Sequence, residues 1–173
     1  MTDTLNIATL LPDDIDELVA LVNSAYRGET SKKGWTTEAD LLSGLRTDKK
    51  SIEALLEKPG AVILKALNAT GKIEGCVYLH NQGLQMYLGM LTVMPDKQSK
   101  GTGKQLLIAA ESYARTVGCA AIVMTVLDVR YELIDWYKRK GYLSTGEIKP
   151  FPNDPSFGIP RQPLQFITLE KKL

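Results

Sequence analysis

The apolar residues in the first third of the chain are spaced mainly as in helices. Residues 12–26, PDDIDELVALVNSAY, place apolar side chains three and four positions apart behind a Pro-Asp start, which predicts an amphipathic helix. Residues 5–10 form a short predicted strand before it. Two shorter helices are predicted at 36–45, TTEADLLSGL, behind a capping threonine, and at 51–58, before a Pro-Gly pair.

The middle of the chain changes to the pattern of strands. Residues 61–67 and 72–80 are largely apolar runs that flank the turn NATG, and residues 84–94, LQMYLGMLTVM, follow a second turn. Three consecutive antiparallel strands are therefore predicted. Helical spacing returns at 102–117, and the apolar run AAIVMTVL at 120–127 is typical of a buried strand.

The last part of the chain adds one helix and two strands. The helix is predicted at 131–142, YELIDWYKRKGY, and the strands at 142–148 and 164–171, with a proline-rich loop between them. The predicted order of strands and helices favours an α/β fold with a mixed, mostly antiparallel central sheet and helices on both faces. Because no linker interrupts this order, we expect residues 1–173 to form a single domain.

Composition narrows the choice of function. The chain has 173 residues, of which 44% are hydrophobic and 24% charged, and these values are ordinary for a globular domain. The formal net charge of +1 argues against nucleic acid as a partner. Since the N-terminus has no basic leader and no apolar stretch could cross a bilayer, we expect a cytoplasmic protein without a membrane partner. Cys76 and Cys119 lack metal-ligand spacing and are expected to be reduced.

The stretch KQSKGTGKQLL, residues 97–107, is the candidate phosphate-binding loop. A nucleotide-binding P-loop would need a glycine where the chain has Gln98 and a hydroxyl where it has Gln105. A dinucleotide fingerprint would need its third glycine at Leu106. Both designs are therefore excluded.

The pattern that remains is Q-x-x-G-x-G, formed by Gln98, Gly101 and Gly103 between a strand and a helix. Glycines let the backbone approach a diphosphate, at which N–H groups and the helix dipole then point. With LTVMPDK before it, AAIVMTVL at 120–127 and WYKRKGY at 136–142, this stretch resembles the GCN5-related N-acetyltransferase (GNAT) superfamily. The element order agrees over nearly the whole chain. The resemblance implies a GNAT-like fold and acetyl-CoA as co-substrate, with no metal.

The resemblance also assigns roles to individual residues. It implies that the backbone N–H groups of Leu91, Thr92 and Val93 stabilise the oxyanion of acyl transfer, and that Tyr137 is the general acid. Packing in the core is the alternative role for Tyr137. The residues expected to bind CoA are Leu91, Val93, Gln98, Ser99, Lys100, Gly101, Thr102, Gly103, Lys104 and Arg130.

Two positions depart from the family pattern. Ser99 stands where glycine is frequent, which is acceptable if its φ is negative. Arg130 stands where the family usually has an asparagine that holds the pantetheine arm, so that role is not carried over. Arg130 is instead expected to contact a CoA phosphate or a carboxylate, with a surface ion pair to Glu132 or Asp128 as the alternative.

The acceptor site is expected in the irregular segment 26–40, with a second wall from 151–160. Its candidate residues are Tyr26, Glu29, Trp35 and Glu38. The acids among them would suit a cationic amine, or they cap a helix while the aromatics fill the core. Glu74 and His80 are candidates for a general base, and neither is assigned the role.

The function that follows is acetyl transfer to a primary amine of a small molecule or peptide, by direct attack in a ternary complex. A homodimer is compatible with the resemblance. The alternative from another class is a catalytically silent acyl-CoA-binding sensor module with the same fold.

Overall fold

The computed structural model describes residues 5–173. Residues 1–4 lie outside that range. They belong to the N-terminal stretch in which no leader is expected from the sequence. The strands are β1 (Asn6–Thr9), β2 (Leu42–Ser43), β3 (Ala61–Leu67), β4 (Ile73–Asn81), β5 (Gln85–Val93), β6 (Ala121–Leu127), β7 (Leu143–Pro150), β8 (Ile159–Pro160) and β9 (Gln165–Lys172). The α-helices are α1 (Ile15–Tyr26), α2 (Gly28–Ser31), α3 (Lys49–Glu57), α4 (Thr102–Thr116) and α5 (Tyr131–Arg139).

Seven strands form the central sheet in the order β1-β3-β4-β5-β6-β9-β7, and only the β5–β6 pair is parallel. Its two faces are covered by different helices, because side chains along a strand alternate between faces. Ile63 and Tyr78 pack with residues of α1 and α3, whereas Leu64 and Val77 pack with residues of α4 and α5. The predicted α/β fold, mixed and mostly antiparallel with helices on both faces, is confirmed.

The central parallel pair separates along its length. β5 and β6 pair only from Gln85 to Tyr87, opposite Ala121 to Val123. A bulge in β5 then shifts its register against β4, and Met90 within it has a φ of +53°. The end of β5 therefore leaves its neighbour and opens the sheet.

The helix predicted at 36–45 is wrong. The segment forms a turn followed by the two-residue strand β2. The hydroxyl of Thr37 accepts a hydrogen bond at 3.0 Å from the N–H of Ala39, a local bond that competes with helix formation. The preceding helix α2 was not predicted.

The strand pair β2–β8 joins two distant loops. Leu42 pairs with Pro160 and Ser43 with Ile159, outside the main sheet. The guanidinium of Arg27 at the end of α1 reinforces this junction by donating to the Phe157 carbonyl at 3.3 Å. Gly158 has a φ of +102°, and a Cβ at this position would collide with the Arg27 guanidinium. The segment that contains β2 is thus joined to the segment that contains β8.

Candidate active site

The glycine-rich loop leads directly into the N-terminus of α4. A short 3₁₀ turn, Pro95–Lys97, follows β5, and Gly101 with a φ of +89° precedes the first residue of α4. The first turn of α4 has no acidic residue. Free N–H groups and the positive end of the helix dipole are therefore available to an anion at this end of α4.

Ser99 has a φ of +64°, so the negative φ that would make serine acceptable in place of glycine is not found. A non-glycine residue in the left-handed region is strained by roughly 1 kcal/mol. We expect Ser99→Gly to raise the free energy of unfolding by about 0.5–1 kcal/mol, measured by urea titration. The control is Ser112→Gly within α4, where glycine should destabilise by roughly 0.5 kcal/mol. A loss of stability in Ser99→Gly would contradict the strain.

Gln98 links the loop to both sides of the cleft. Its side-chain oxygen accepts the Trp35 N–H at 3.0 Å, and its Nε2 donates to the Val93 carbonyl at 3.2 Å. Gly34 allows this approach, since a Cβ there would overlap the Gln98 amide. The protein therefore uses the Gln98 side chain, which leaves its main chain for a ligand.

The end of β5 presents backbone groups where the sheet opens. The carbonyl of Leu91 accepts the Tyr26 hydroxyl at 2.8 Å, and the Val93 carbonyl accepts from Gln98. The side chains of Tyr26 and Gln98 thus supply the hydrogen bonds that a neighbouring strand would otherwise make to these carbonyls. Leu91, Thr92 and Val93 all line the cleft beside the opened sheet.

A first cleft, here called the donor cleft because it contains most of the residues predicted to bind CoA, has a volume of about 370 Å³ and runs from the glycine-rich loop to α5. Trp35 and Trp136 stand in it with ring centres 6.5 Å apart, and Lys140 lies 5.4 Å from the centre of the Trp136 ring. Its lining includes Gln98, Ser99, Gly101, Gly103, Lys104, Arg130, Arg139 and Lys140. Lys100 and Thr102 belong to the same loop but do not line the cleft, and Thr102 is buried. The cationic residues give this cleft a positive lining.

Tyr137 lies where the donor cleft meets a second cleft. It is 5% exposed and lines both clefts. Burial, and then the nearby Tyr26, raise the pKa of Tyr137 well above the ordinary range. The phenol is therefore protonated and able to donate.

The second cleft, here called the acceptor cleft because the predicted acceptor segments line it, has a volume of about 250 Å³ and lies on the other side of this junction. The residues shared by the two clefts are Tyr26, Leu91, Arg130, Leu133 and Tyr137. Both irregular segments predicted as acceptor walls contribute to it: Tyr26 and Glu38 come from one segment, and Phe151, Pro152 and Phe157 from the other. Trp35 lines the donor cleft instead.

Glu38 is held between two buried arginines. Its Oε1 accepts from Arg27 Nε at 3.0 Å and its Oε2 from Arg130 Nη1 at 2.9 Å, and the Glu38 side chain is 8% exposed. Arg130 Nη2 also donates to Thr36 at 2.7 Å. The surface pair of Arg130 with Glu132 or Asp128 is therefore wrong. Because each carboxylate oxygen of Glu38 already pairs with an arginine, Glu38 is not available to bind a cationic amine.

The remaining acidic and basic candidates lie away from the junction. The Glu29 side chain is 90% exposed and pairs with Lys32 at 3.1 Å. Glu74 accepts from Asn68 at 3.0 Å, and His80 stacks on Tyr78; neither lines the donor or the acceptor cleft. Arg27 and Arg46, which line the acceptor cleft, were not predicted, since nothing in their sequence context distinguishes them from surface arginines.

Membrane and metal sites were also sought in residues 5–173. None of the helices there combines the length and apolar character of a membrane span. The same residues hold no group of three His, Cys, Asp or Glu side chains arranged for a metal ion.

Comparisons with known proteins agree with this fold. The model of the Acetyltransferase (GNAT) family matches residues 16–142, so the chain belongs to that family. A search of curated proteins finds no match.

Among solved structures, the chain is similar to the ribosomal-protein-S18-alanine N-acetyltransferase of Escherichia coli, with a TM-score of 0.73 and 14% identity over 98% of this chain and 94% of that one. It is similar to nourseothricin acetyltransferase, with a TM-score of 0.70 and 18% identity over 97% of this chain and 98% of that one. It is also similar to a putative acetyltransferase of Acinetobacter baylyi, with a TM-score of 0.74 and 15% identity over 100% of this chain and 95% of that one. At these identities the likeness shows the fold.

Proposed function

We propose that this protein transfers the acetyl group of acetyl-CoA to a primary amine, by direct attack in a ternary complex. The observation that carries the proposal is the junction of two clefts at the opened end of β5. Leu91 and Tyr137 line both clefts there. A donor in one cleft and an acceptor in the other would meet beside an exposed backbone and a protonated phenol, which favours direct transfer.

The donor cleft suits CoA. Its pyrophosphate would bind the loop from Gln98 to Lys104, where positive-φ residues and the start of α4 turn backbone N–H groups toward an anion. The cations of Lys104, Arg139 and Lys140 in the lining favour the same ligand. The apolar surfaces of Trp35 and Trp136 would contact the pantetheine arm.

The chemistry then needs an oxyanion site, an acid and a neutral amine. Backbone N–H groups of Leu91–Val93 would stabilise the tetrahedral oxyanion, since β6 pairs with β5 only as far as Tyr87. Tyr137 protonates the leaving thiolate of CoA. Among the described residues, Glu38 is the only carboxylate that lines either cleft, and it is neutralised. We therefore expect the amine to lose its proton to water.

Arg130 acts in this proposal as a positioning residue rather than a phosphate ligand. Its Nη1 and Nη2 are bound to Glu38 and Thr36, so it fixes the wall between the clefts. The cytoplasm remains the proposed compartment, in keeping with the free thiols of the buried Cys76 and Cys119. The homodimer stays a prediction.

The test is release of CoA thiol from acetyl-CoA with and without a panel of amines. We expect acceptor-dependent release at least about tenfold above hydrolysis. Thermal stabilisation by CoA without acceptor-dependent release would contradict the enzyme and favour the sensor module. Stabilisation by ATP and not by CoA would contradict both.

A further inference from the structure

We propose that the acceptor cleft binds an amine that also carries a carboxylate and an apolar group, and that Arg46 binds the carboxylate. The proposal rests on the proposed function in treating the bound molecule as the acetyl acceptor. It concerns the chemical class of that molecule, which is defined by the charges and the apolar walls of the cleft.

The acceptor cleft has an excess of positive charge. The charged residues in its lining are three arginines and one glutamate: Arg27, Arg46, Arg130 and Glu38. Glu38 is bound on both oxygens by Arg27 and Arg130, so two positive charges remain uncompensated in the lining. In a partly buried site these charges repel a purely cationic ligand and attract an anionic group.

Among the three arginines that line the acceptor cleft, Arg46 is the one whose guanidinium is not paired with Glu38. Within residues 5–173 no carboxylate lies in ion-pair range of its guanidinium. Only its main-chain N–H makes a hydrogen bond, to Asn23 Oδ1 at 2.7 Å. The guanidinium carbon lies 5.2 Å from the centre of the Tyr26 ring, which holds the group in place. A planar guanidinium with unused donors matches a carboxylate.

Tyr26 also relates Arg46 to the reacting centre. Its ring lies beside the Arg46 guanidinium, and its hydroxyl donates to the Leu91 carbonyl at 2.8 Å. One phenol ring therefore separates the proposed carboxylate site from the backbone that would bind the oxyanion.

Several aromatic and aliphatic side chains form one apolar part of the remaining lining. Phe151 and Phe166 stack with ring centres 5.6 Å apart, and both line the cleft together with Phe157 and Met124. Such a wall favours a ligand with an aromatic or branched aliphatic group, since burying it removes apolar surface from water. The acceptor class is therefore an amphiphilic amino acid rather than a polyamine.

The first experiment measures binding to the full chain by titration calorimetry, with and without CoA. The probes are phenylalanine, 3-phenylpropionate, which lacks the amine, and phenethylamine, which lacks the carboxylate. We expect both carboxylates to bind and phenethylamine to bind at least about tenfold more weakly. Equal or tighter binding of phenethylamine, or no binding of either carboxylate, would overturn the proposal.

The second experiment assigns the carboxylate to Arg46. Arg46→Gln should weaken phenylalanine binding roughly 10- to 100-fold and leave phenethylamine within about twofold, and Arg46→Lys should fall between. Arg115→Gln, an exposed arginine on α4 outside both clefts, is the matched control and should match the wild type. Unchanged phenylalanine affinity in Arg46→Gln would overturn the assignment.

Thiol release with the same probes separates this inference from the function on which it rests. Acetylation of phenylalanine in preference to phenethylamine supports both. Phenylalanine binding that depends on Arg46, without acetylation of any amine, supports the carboxylate site and contradicts the transferase. Preferred acetylation of phenethylamine leaves the transferase standing and overturns the carboxylate site.

Discussion

Tyr137→Phe is expected to reduce kcat for acetyl transfer by roughly a hundredfold or more while the affinity for acetyl-CoA stays within about twofold. The substitution removes one oxygen from a ring that is 5% exposed and packs edge-on against Trp136 and Tyr142, so the packing is retained. What is lost is the phenol that would protonate the departing thiolate. Single-turnover thiol release and calorimetry with acetyl-CoA measure the two quantities separately.

The control is Tyr131→Phe, at the exposed first turn of the same helix, where the side chain is 69% exposed. Its kcat should equal that of the wild type. The raised pKa of Tyr137 adds a second readout, the pH dependence of activity. Because Tyr137 stays protonated at the pH at which an ordinary tyrosine begins to ionise, its ionisation should not reduce activity up to that pH. Equal kcat values for Tyr137→Phe and the wild type would contradict the acid role.

Glu38→Gln is expected to lower the free energy of unfolding by about 3 kcal/mol. Arg27 and Arg130 would then face each other with side chains 6% exposed and no carboxylate between them. Burial already lowers the pKa of Arg27, the direction expected for a cation that loses hydration. Denaturant unfolding of the two proteins measures the difference.

The matched substitution Glu29→Gln removes the same charge from a side chain that is 90% exposed and should change stability by less than about 0.5 kcal/mol. A loss below about 1 kcal/mol in Glu38→Gln would show that the two arginines find other partners, against the proposed role of Glu38. The same variant should loosen the wall between the clefts, because Arg27 also holds Phe157.

The sequence predicts the parts of this protein that depend on local pattern. The glycine-rich loop, the central strands and α4 follow from periodicity and turn residues, and a motif marks Tyr137. The interactions around Glu38 could not be predicted, since its partners lie 11 and 92 positions away and an arginine in a sequence carries no sign of burial. The helix expected at 36–45 failed for a related reason. Its acid and threonines make side-chain bonds that specify a turn.

Arg46 illustrates the same limit from the side of function. Its importance comes from what its guanidinium does not contact, and such an observation exists only in three dimensions. The acids predicted to attract a cationic amine were, in the fold, either exposed or neutralised. The positive charge of the acceptor cleft is thus opposite to the negative charge that Glu29 and Glu38 were expected to provide there.

The pairing of β2 with β8 affects how this protein could acquire a new acceptor. The two segments that it joins are separated by more than half of the chain. They are held together by four paired residues and by the Arg27 guanidinium. A loop transplanted from a relative on one side would meet a native loop with which it cannot pair. Acceptor preference should therefore be exchangeable between relatives only when both loops are grafted together, while the donor half of the site is left untouched.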